Sequence, residues 1–315
     1  MTAGTDFISV KNIFVESREP SSWLAFLRPP RAPRAILNNI SFSLPLGSHA
    51  TVYGGEGAGK SILLRLLTGA VMPVQGTVLV NGKPPFQQRL SAGYVSSEET
   101  EPAKETGHTI LTAYARTHGS QNAAAHIAAI ADALHLESCL HIPADELSTA
   151  QRLRLNVARA ALADVPLVLL DDVADHLGPG TVSELLVGLF SGRTVLTATR
   201  SPATANALGL PVLLLHQGAL ARHGTIEEIA REVATPRAVD IWVEGLRYDL
   251  LRNVRKHPGV LEARLLPTSS FAGQRLRIRL QSAHYLPSLY DLVSRAPLLR
   301  VEEIPPTLHD ILERL

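Results

Sequence analysis

The sequence predicts an α/β protein: a parallel-sheet core around a phosphate-binding loop, an inserted helical subdomain, and a small C-terminal α+β unit. Three observations predict it. Residues 54 to 61 read Gly54-Gly55-Glu56-Gly57-Ala58-Gly59-Lys60-Ser61, which fits G-x-x-x-x-G-K-[ST] between a strand-like run (48–53, SHATVY) and a helical run (Ile62–Leu67). A second buried-strand run, Leu167–Leu170, ends in Asp171-Asp172, 111 positions after Lys60. From residue 238 on, the patterns follow the order β-α-β-β-α-β, the split βαβ or ferredoxin-like plan.

Each element has a local reason. Residues 7–15 alternate apolar and polar, as a half-buried strand does. A Pro- and Arg-containing insertion, Glu16 to Arg34, surrounds the patch Trp23-Leu24-Ala25-Phe26-Leu27, and residues 35–46 return to strand. Residues 76–82 read as a short strand ending in an Asn-Gly turn, and 90–96 as another. From Thr109 to Ala163 the period becomes helical, with Ala-rich segments Ala123–Leu136 and Arg152–Ala163; the helical subdomain spans about 105–163. Leu167–Leu170 and Val195–Ala198 read as buried parallel strands with helix Val182–Leu189 between them. Residues 212–224 form a hairpin turning at Gln217-Gly218. The first domain is placed at 1–228. The second, 238–315, has strands Val239–Val243, Val260–Leu266, Leu276–Leu280 and Leu298–Ile304. Its helices are Leu246–Lys256, Leu286–Ser294 and Thr307–Leu315. No nucleophile, acid pair or metal set stands out in it, so packing or dimerisation is its expected role.

Composition narrows the function. The chain of 315 residues carries 30 Lys+Arg against 29 Asp+Glu, a net charge of +1, which gives no electrostatic case for nucleic acid as the main partner. The one cysteine, Cys139, excludes an internal disulfide or a cysteine zinc cluster and is expected to be a small core residue. His135 and His141 are expected to be solvated. The first residues, MTAGTDFISV, lack a basic region followed by an apolar run, so no signal peptide is expected, and no stretch approaches the ~20 apolar residues of a membrane span.

The phosphate loop defines the chemistry. Its glycines turn backbone N–H groups toward phosphate oxygens, Lys60 brings a charge to the β- and γ-phosphates, and Ser61 offers a hydroxyl to Mg²⁺. The N-terminus of the following helix adds partial positive charge. Asp171, at the carboxyl end of a buried strand, can hold Mg²⁺ directly or through water.

Just before that strand stands Glu146-Leu147-Ser148-Thr149-Ala150-Gln151-Arg152-Leu153-Arg154-Leu155. With LSTAQ in this place, residues 1 to about 225 resemble the nucleotide-binding subunit of an ABC transporter, whose L-S-G-G-Q lies between a helical subdomain and the aspartate strand. Thr109–Gly119 is similar to the family's entry into the helical subdomain. Residues 238–315 resemble the C-terminal extension of ABC-2 type drug- and sodium-exporter subunits, most closely at Thr307-Leu308-His309-Asp310-Ile311-Leu312. The Glu16–Arg34 insertion is more like the polysaccharide-exporter branch.

The resemblance implies ATP and Mg²⁺ as cofactors, a second ABC ATPase subunit and polytopic permease subunits as partners, and a cytoplasmic place on the inner face of the membrane. A groove near Ser97 to Lys104 would receive a helix of the permease. It also marks departures. The glutamate after the family's aspartate is Asp172 here, one methylene shorter; its carboxylate sits about 1.5 Å back, and a misplacement near 1 Å can cost about 10²-fold. The family's glutamine is Ser97, its switch histidine Arg200, the aspartate closing the next loop Gly178, and the hydroxyl after Ser61 is Ile62. Phe14 is the nearest candidate for stacking on adenine, before Trp23 and Phe26. Ser148 and Gln151 remain to meet a partner's γ-phosphate, while Ala150 adds a methyl where backbone approaches phosphate. The binding half is thus intact and the hydrolytic half eroded. This implies a weakly or non-hydrolysing exporter subunit in a heterodimer. The alternatives are a homodimer in which one substitution compensates another, and a nucleotide-gated regulatory module without turnover. A factor acting on ribosomes or DNA fits poorly, since neither paired cassettes nor long coiled coils are present.

Overall fold

A computed structural model of the chain describes residues 6–17, 34–88, 92–98, 104–118, 122–233, 237–244, 248–267, 273–294 and 296–312. Trp23 and Phe26, most of the Glu16–Arg34 insertion, and much of the proposed groove between Ser97 and Lys104 lie outside them. The chain divides into two compact units, Met1–His223 and Gly224–Leu315.

The first unit begins with β1 (Ile8–Glu16), β2 (Ala35–Leu44), β3 (His49–Tyr53), α1 (Lys60–Thr68), β4 (Gln75–Val80) and β5 (Ala92–Ser96). The helical stretch follows: α2 (Gly107–Thr117), α3 (Ala123–Ala133) and α4 (Thr149–Leu162). Then come β6 (Leu167–Asp171), α5 (Val173–Leu177), α6 (Pro179–Val187), β7 (Thr194–Thr199), α7 (Pro202–Leu208), β8 (Val212–His216) and β9 (Ala219–Gly224). A six-stranded sheet runs β5-β6-β7-β3-β8-β9, and a three-stranded antiparallel sheet runs β2-β1-β4.

The pairs β5–β6, β6–β7, β7–β3 and β3–β8 are all parallel. Such strands are buried on both faces, which explains the unbroken apolar run of β6. Leu167 and Leu169 face a core shared with α1 and the small sheet, where Ile8, Ile13, Leu37, Leu64 and Leu67 are buried. Val168 and Leu170 face the opposite core, built from α2, α3, α4, α6 and α7. Cys139 is buried in that second core, and His135 and His141 are exposed, as expected.

Small differences from the sequence reading have local causes. The helix expected from Arg152 starts at Thr149, because Ser148 and Gln151 form a reciprocal capping box that satisfies the first turn. The helix expected over Val182–Leu189 is α6, Pro179–Val187, which begins at Pro179 and ends before Gly188. At Gly76, β4 crosses β1 so closely that a Cβ would lie 2.4 Å from the Asn12 carbonyl oxygen, and φ there is +92°. Only glycine fits that crossing.

In the second unit, α8 (Ile226–Glu232) precedes β10 (Arg237–Val243), α9 (Tyr248–Lys256), β11 (Val260–Leu266), β12 (Gln274–Leu280), α10 (Leu286–Val293), β13 (Leu298–Ile304) and α11 (Leu308–Leu312). The sheet order is β11-β12-β10-β13 and every pair is antiparallel, as the ferredoxin-like plan requires. Val239, Ile241, Leu276, Ile278, Leu250, Val254, Leu289 and Val293 form the core between one sheet face and helices α9 and α10. The other face carries the side chains of Ala238, Asp240, Trp242, Arg275, Arg277 and Arg279, by strand alternation.

Candidate functional site

Four strand ends converge on one site. In the parallel register Tyr53 pairs with Thr199, Asp171 with Ala198, and Ser96 with Asp171. The phosphate loop, Asp171-Asp172, Arg200 and Ser97 therefore leave the sheet at one level, at the carboxyl ends of β3, β6, β7 and β5. In open α/β sheets ligands bind outside those ends.

The loop is held by its own backbone. Gly59 caps α1 with φ +96°, and a Cβ on it would lie 2.5 Å from Leu37 Cδ2. Lys60 Nζ donates to the carbonyls of Gly54 (2.9 Å) and Gly55 (3.1 Å). Gly55, Glu56 and Gly57 are exposed, Gly54, Ala58 and Gly59 are buried, and Ser61 and Ile62 are half-buried on the first turn of α1. The exposed crest and the helix N-terminus make an anion-binding concavity.

Asp171 is buried. Its Oδ2 accepts a hydrogen bond from the Tyr94 hydroxyl (2.8 Å), and its backbone carbonyl accepts from Ser97 N–H (3.3 Å). Burial first, and then the bond to Asp171, pushes the Tyr94 hydroxyl up to about 12, against the pull of Arg65, which also hydrogen-bonds it. Asp171 Oδ1 is buried with no protein partner, and so is Asp172 Oδ1. A buried orphan oxygen is costly, about 1–3 kcal/mol. Asp171 and Ser61 would hold a hydrated Mg²⁺, which would satisfy the first of them, so the residues present fit that ion.

Asp172 follows in the left-handed region at φ +56°, and its backbone N–H donates to Ala198 (3.2 Å). Its carboxyl is raised above the ordinary aspartate range, first by burial and next by Asp171, while Lys60 and Arg200 pull it down. Arg200 is exposed, and its N–H donates to Asp175 Oδ2 (3.3 Å). Asp175 also accepts from Thr199 Oγ1 at 2.7 Å. Asp175 thus braces the ends of β7 and α5. Gly178 ends α5 at φ +90° with open space around it.

Two groups of candidates stand apart from this cluster. Ser148 is the N-cap of α4, exposed, accepting from Gln151 N–H (3.3 Å); Gln151 Oε1 in turn accepts from Ser148 N–H (2.9 Å), and Ala150 is half-buried beside them. A 14-residue helix with an exposed, capped N-terminus can present that end to an anion. Phe14 is half-buried on β1, opposite Gln75. Its neighbours Ile13 and Val15 point into the core with Leu37, so strand alternation puts Phe14 on the other face.

Tyr94, Arg65, Thr199 and Asp175 belong to the site and were not foreseen. Replacing Tyr94 with Phe leaves Asp171 Oδ2 buried without a donor. The ratio of ATP affinity with Mg²⁺ to that in EDTA is expected to fall about tenfold, from the loss of a charge-assisted bond of about 1.5 kcal/mol. A lower melting temperature with an unchanged ratio would show that the bond only supports the fold.

The fold and the site together define a phosphate-loop nucleotide-binding protein of the α/β class. Comparison with known proteins makes this specific. Residues 37–175 match the ABC transporter family. The chain is 33% identical over 183 residues to the cytochrome c biogenesis ATP-binding export protein CcmA of Rhizobium meliloti (strain 1021), covering 55% of this chain and 87% of that protein. It is 25% identical over 302 residues to the Nod factor export ATP-binding protein I of Rhizobium sp. (strain N33), covering 93% and 95%. It spans only 42% of a phosphonates import ATP-binding protein, PhnC of Anaeromyxobacter dehalogenans (strain 2CP-C), at 28% identity over 60% of this chain. Among solved structures, a bacterial Atm1-family ABC exporter with ATP bound shares the fold, with a TM-score of 0.58 at 20% identity, over 73% of this chain and 40% of that one. The chain belongs to the ABC transporter ATP-binding family. Among the described residues no helix is long and apolar enough to cross a membrane.

Proposed function

We propose that this chain is the ATP-binding subunit of an ABC exporter that binds MgATP and hydrolyses it weakly or not at all. It would sit on the inner face of the membrane as one member of a heterodimer that drives separate permease subunits. The observation that carries this is Asp172: a half-buried carboxylate, one methylene shorter than the family's glutamate, at the position where water must be activated. Export is supported by the names of the two relatives above, one of which aligns along nearly the whole chain. Import proteins are also among its relatives, and the cargo would be set by the permease.

In this reading the N–H groups of residues 55–61 and the N-terminus of α1 receive the phosphates. Lys60 would exchange its two carbonyl acceptors for phosphate oxygens. Ser61 and Asp171 would hold Mg²⁺, which when bound would neutralise charge on the β- and γ-phosphates. Asp172 would have to accept a proton from water with a carboxylate one methylene shorter than the family's glutamate. Arg200 would offer a charge to the γ-phosphate but no neutral imidazole. Ser148, on its exposed helix end, would complete the nucleotide site of the partner subunit.

Steady-state hydrolysis by the purified chain tests this. MgATP is expected to bind while turnover by the chain alone stays at background. Ordinary turnover, of about 1–10³ s⁻¹ and dependent on Lys60, would overturn the weak-site reading. A second reading, a nucleotide-gated regulatory module without transport, rests on the same Asp172. It requires that no partner subunit or permease restore turnover.

A further inference from the structure

The second unit holds a cleft that the nucleotide site does not use. It lies on the sheet face away from α9 and α10, where β13 leaves the sheet through Pro305-Pro306-Thr307 into α11. Its volume is about 310 Å³. One wall is apolar: Ala238, Leu266, Ile304, Pro305 and Pro306. The rest is Thr307 and charged side chains, Arg264, Arg277 and Arg279 with Glu262 and Asp310.

The guanidiniums are unevenly paired. Arg264 pairs with Glu262, and Arg279 with Asp310 at 3.2 Å. Asp310 is further engaged by Thr307, whose backbone N–H donates to it at 2.9 Å. Arg277 bonds Asp240 twice, at 2.7 and 2.8 Å, but Arg275 bonds the same carboxylate. Asp240 is fully buried. Burial alone would raise its pKa, yet the hydrogen bonds from Arg277 and Arg275 outweigh this and hold it below the ordinary range. It stays ionised and supplies one negative charge to two guanidiniums. Arg277 Nη1 has no protein partner among the described residues, and its side chain is 38% exposed. The exposed side of a guanidinium that shares its one carboxylate with Arg275 therefore sits beside an apolar wall.

We infer that this cleft is a binding site for a small amphiphilic organic anion, a carboxylate with an apolar body. The carboxylate would meet Arg277 and Arg264, whose planar forks suit two oxygens. The body would cover Leu266, Ile304 and the two prolines. Pockets of a few hundred Å³ with an apolar lining and a few placed polar groups are where small molecules bind. The second unit would then carry a ligand site beside the packing or dimerisation expected of it from sequence.

The test uses the full chain and 1-naphthoate as probe, followed by calorimetry. Saturable binding is expected, with 1-naphthalenemethanol and inorganic phosphate each at least about tenfold weaker, since one lacks the charge and the other the apolar body. Arg264 is largely exposed, so Arg264→Gln keeps the fold and is expected to weaken naphthoate about fivefold, the scale of an exposed ionic contact. Ala238→Leu fills the cleft and is expected to remove binding while MgATP affinity stays unchanged. Equal binding of the neutral alcohol, or of phosphate, overturns the proposed ligand class. So does naphthoate binding that survives both variants, is lost in Lys60→Ala, or is absent from the folded wild-type chain.

Discussion

Lys60→Ala is expected to weaken MgATP binding at least about 100-fold. The estimate follows from geometry and charge. Lys60 is buried at the first turn of α1, and among the described residues its ammonium donates to two carbonyls of its own loop. Those carbonyls hold the ammonium beside the concavity, ready to turn to an anion. A hydrogen bond to a charged group contributes about 1.5–3 kcal/mol, or about 10–100-fold in affinity, and two phosphates would each receive one. The variant also strips the Gly54 carbonyl of a donor inside the structure, for about 1–3 kcal/mol of stability. Binding must therefore be measured well below the variant's melting temperature, by calorimetry or a fluorescent nucleotide. An affinity within about twofold of wild type would show that Lys60 does not touch phosphate and that nucleotide, if bound, lies elsewhere.

Much of this site was legible in the sequence because it depends on local rules. A phosphate loop is a contiguous motif, and its glycines answer backbone needs that only neighbouring residues set. The same holds for the apolar run of β6, for the hairpin at Gln217-Gly218, where both residues take positive φ, and for the order of the second unit. Tyr94 was not legible. Its bond to Asp171 spans 77 positions and exists only because β5 lies beside β6 in one parallel register. The Asp175–Thr199 bond has the same origin at the next strand pair. Short helices were missed for a different reason: α5 has five residues, and α7 and α8 have seven each, too few to show a 3.6 period. Their signals were caps instead. Ser201 before Pro202 accepts from Thr204 N–H, and Thr225 forms a capping box with Glu228. Ser148 carried two messages at once, since the pattern Ser148-x-x-Gln151 is both the family's signature and a helix start.

Asp172→Glu is expected to raise turnover by about 10²-fold, with little change in the KM for ATP. In the proposed reading the defect is reach: moving the carboxylate out by one methylene restores about 1.5 Å, and a misplacement near 1 Å already costs about 10²-fold. Reach also changes charge. Burial and Asp171 raise the Asp172 carboxyl, so the fold favours its protonated form, and its activity as a base is lost as pH falls through that raised value. In the proposed reading the longer side chain would carry the carboxylate out of the burial that raises it and toward the phosphate side, where Lys60 and Arg200 favour ionisation. The acidic limb of the pH profile should therefore shift to lower pH as the rate rises. The substitution has a cost, because Asp172 sits at φ +56°, which Glu tolerates less well than Asp; about 1 kcal/mol of stability is expected to go. The rate and the pH profile together decide the matter. A higher rate with an unmoved profile would place the titrating group elsewhere, in the partner subunit or the substrate. An unchanged rate in a folded variant that still binds MgATP would mean that Asp172 is not what limits this site, and attention would pass to Arg200 and Ser97.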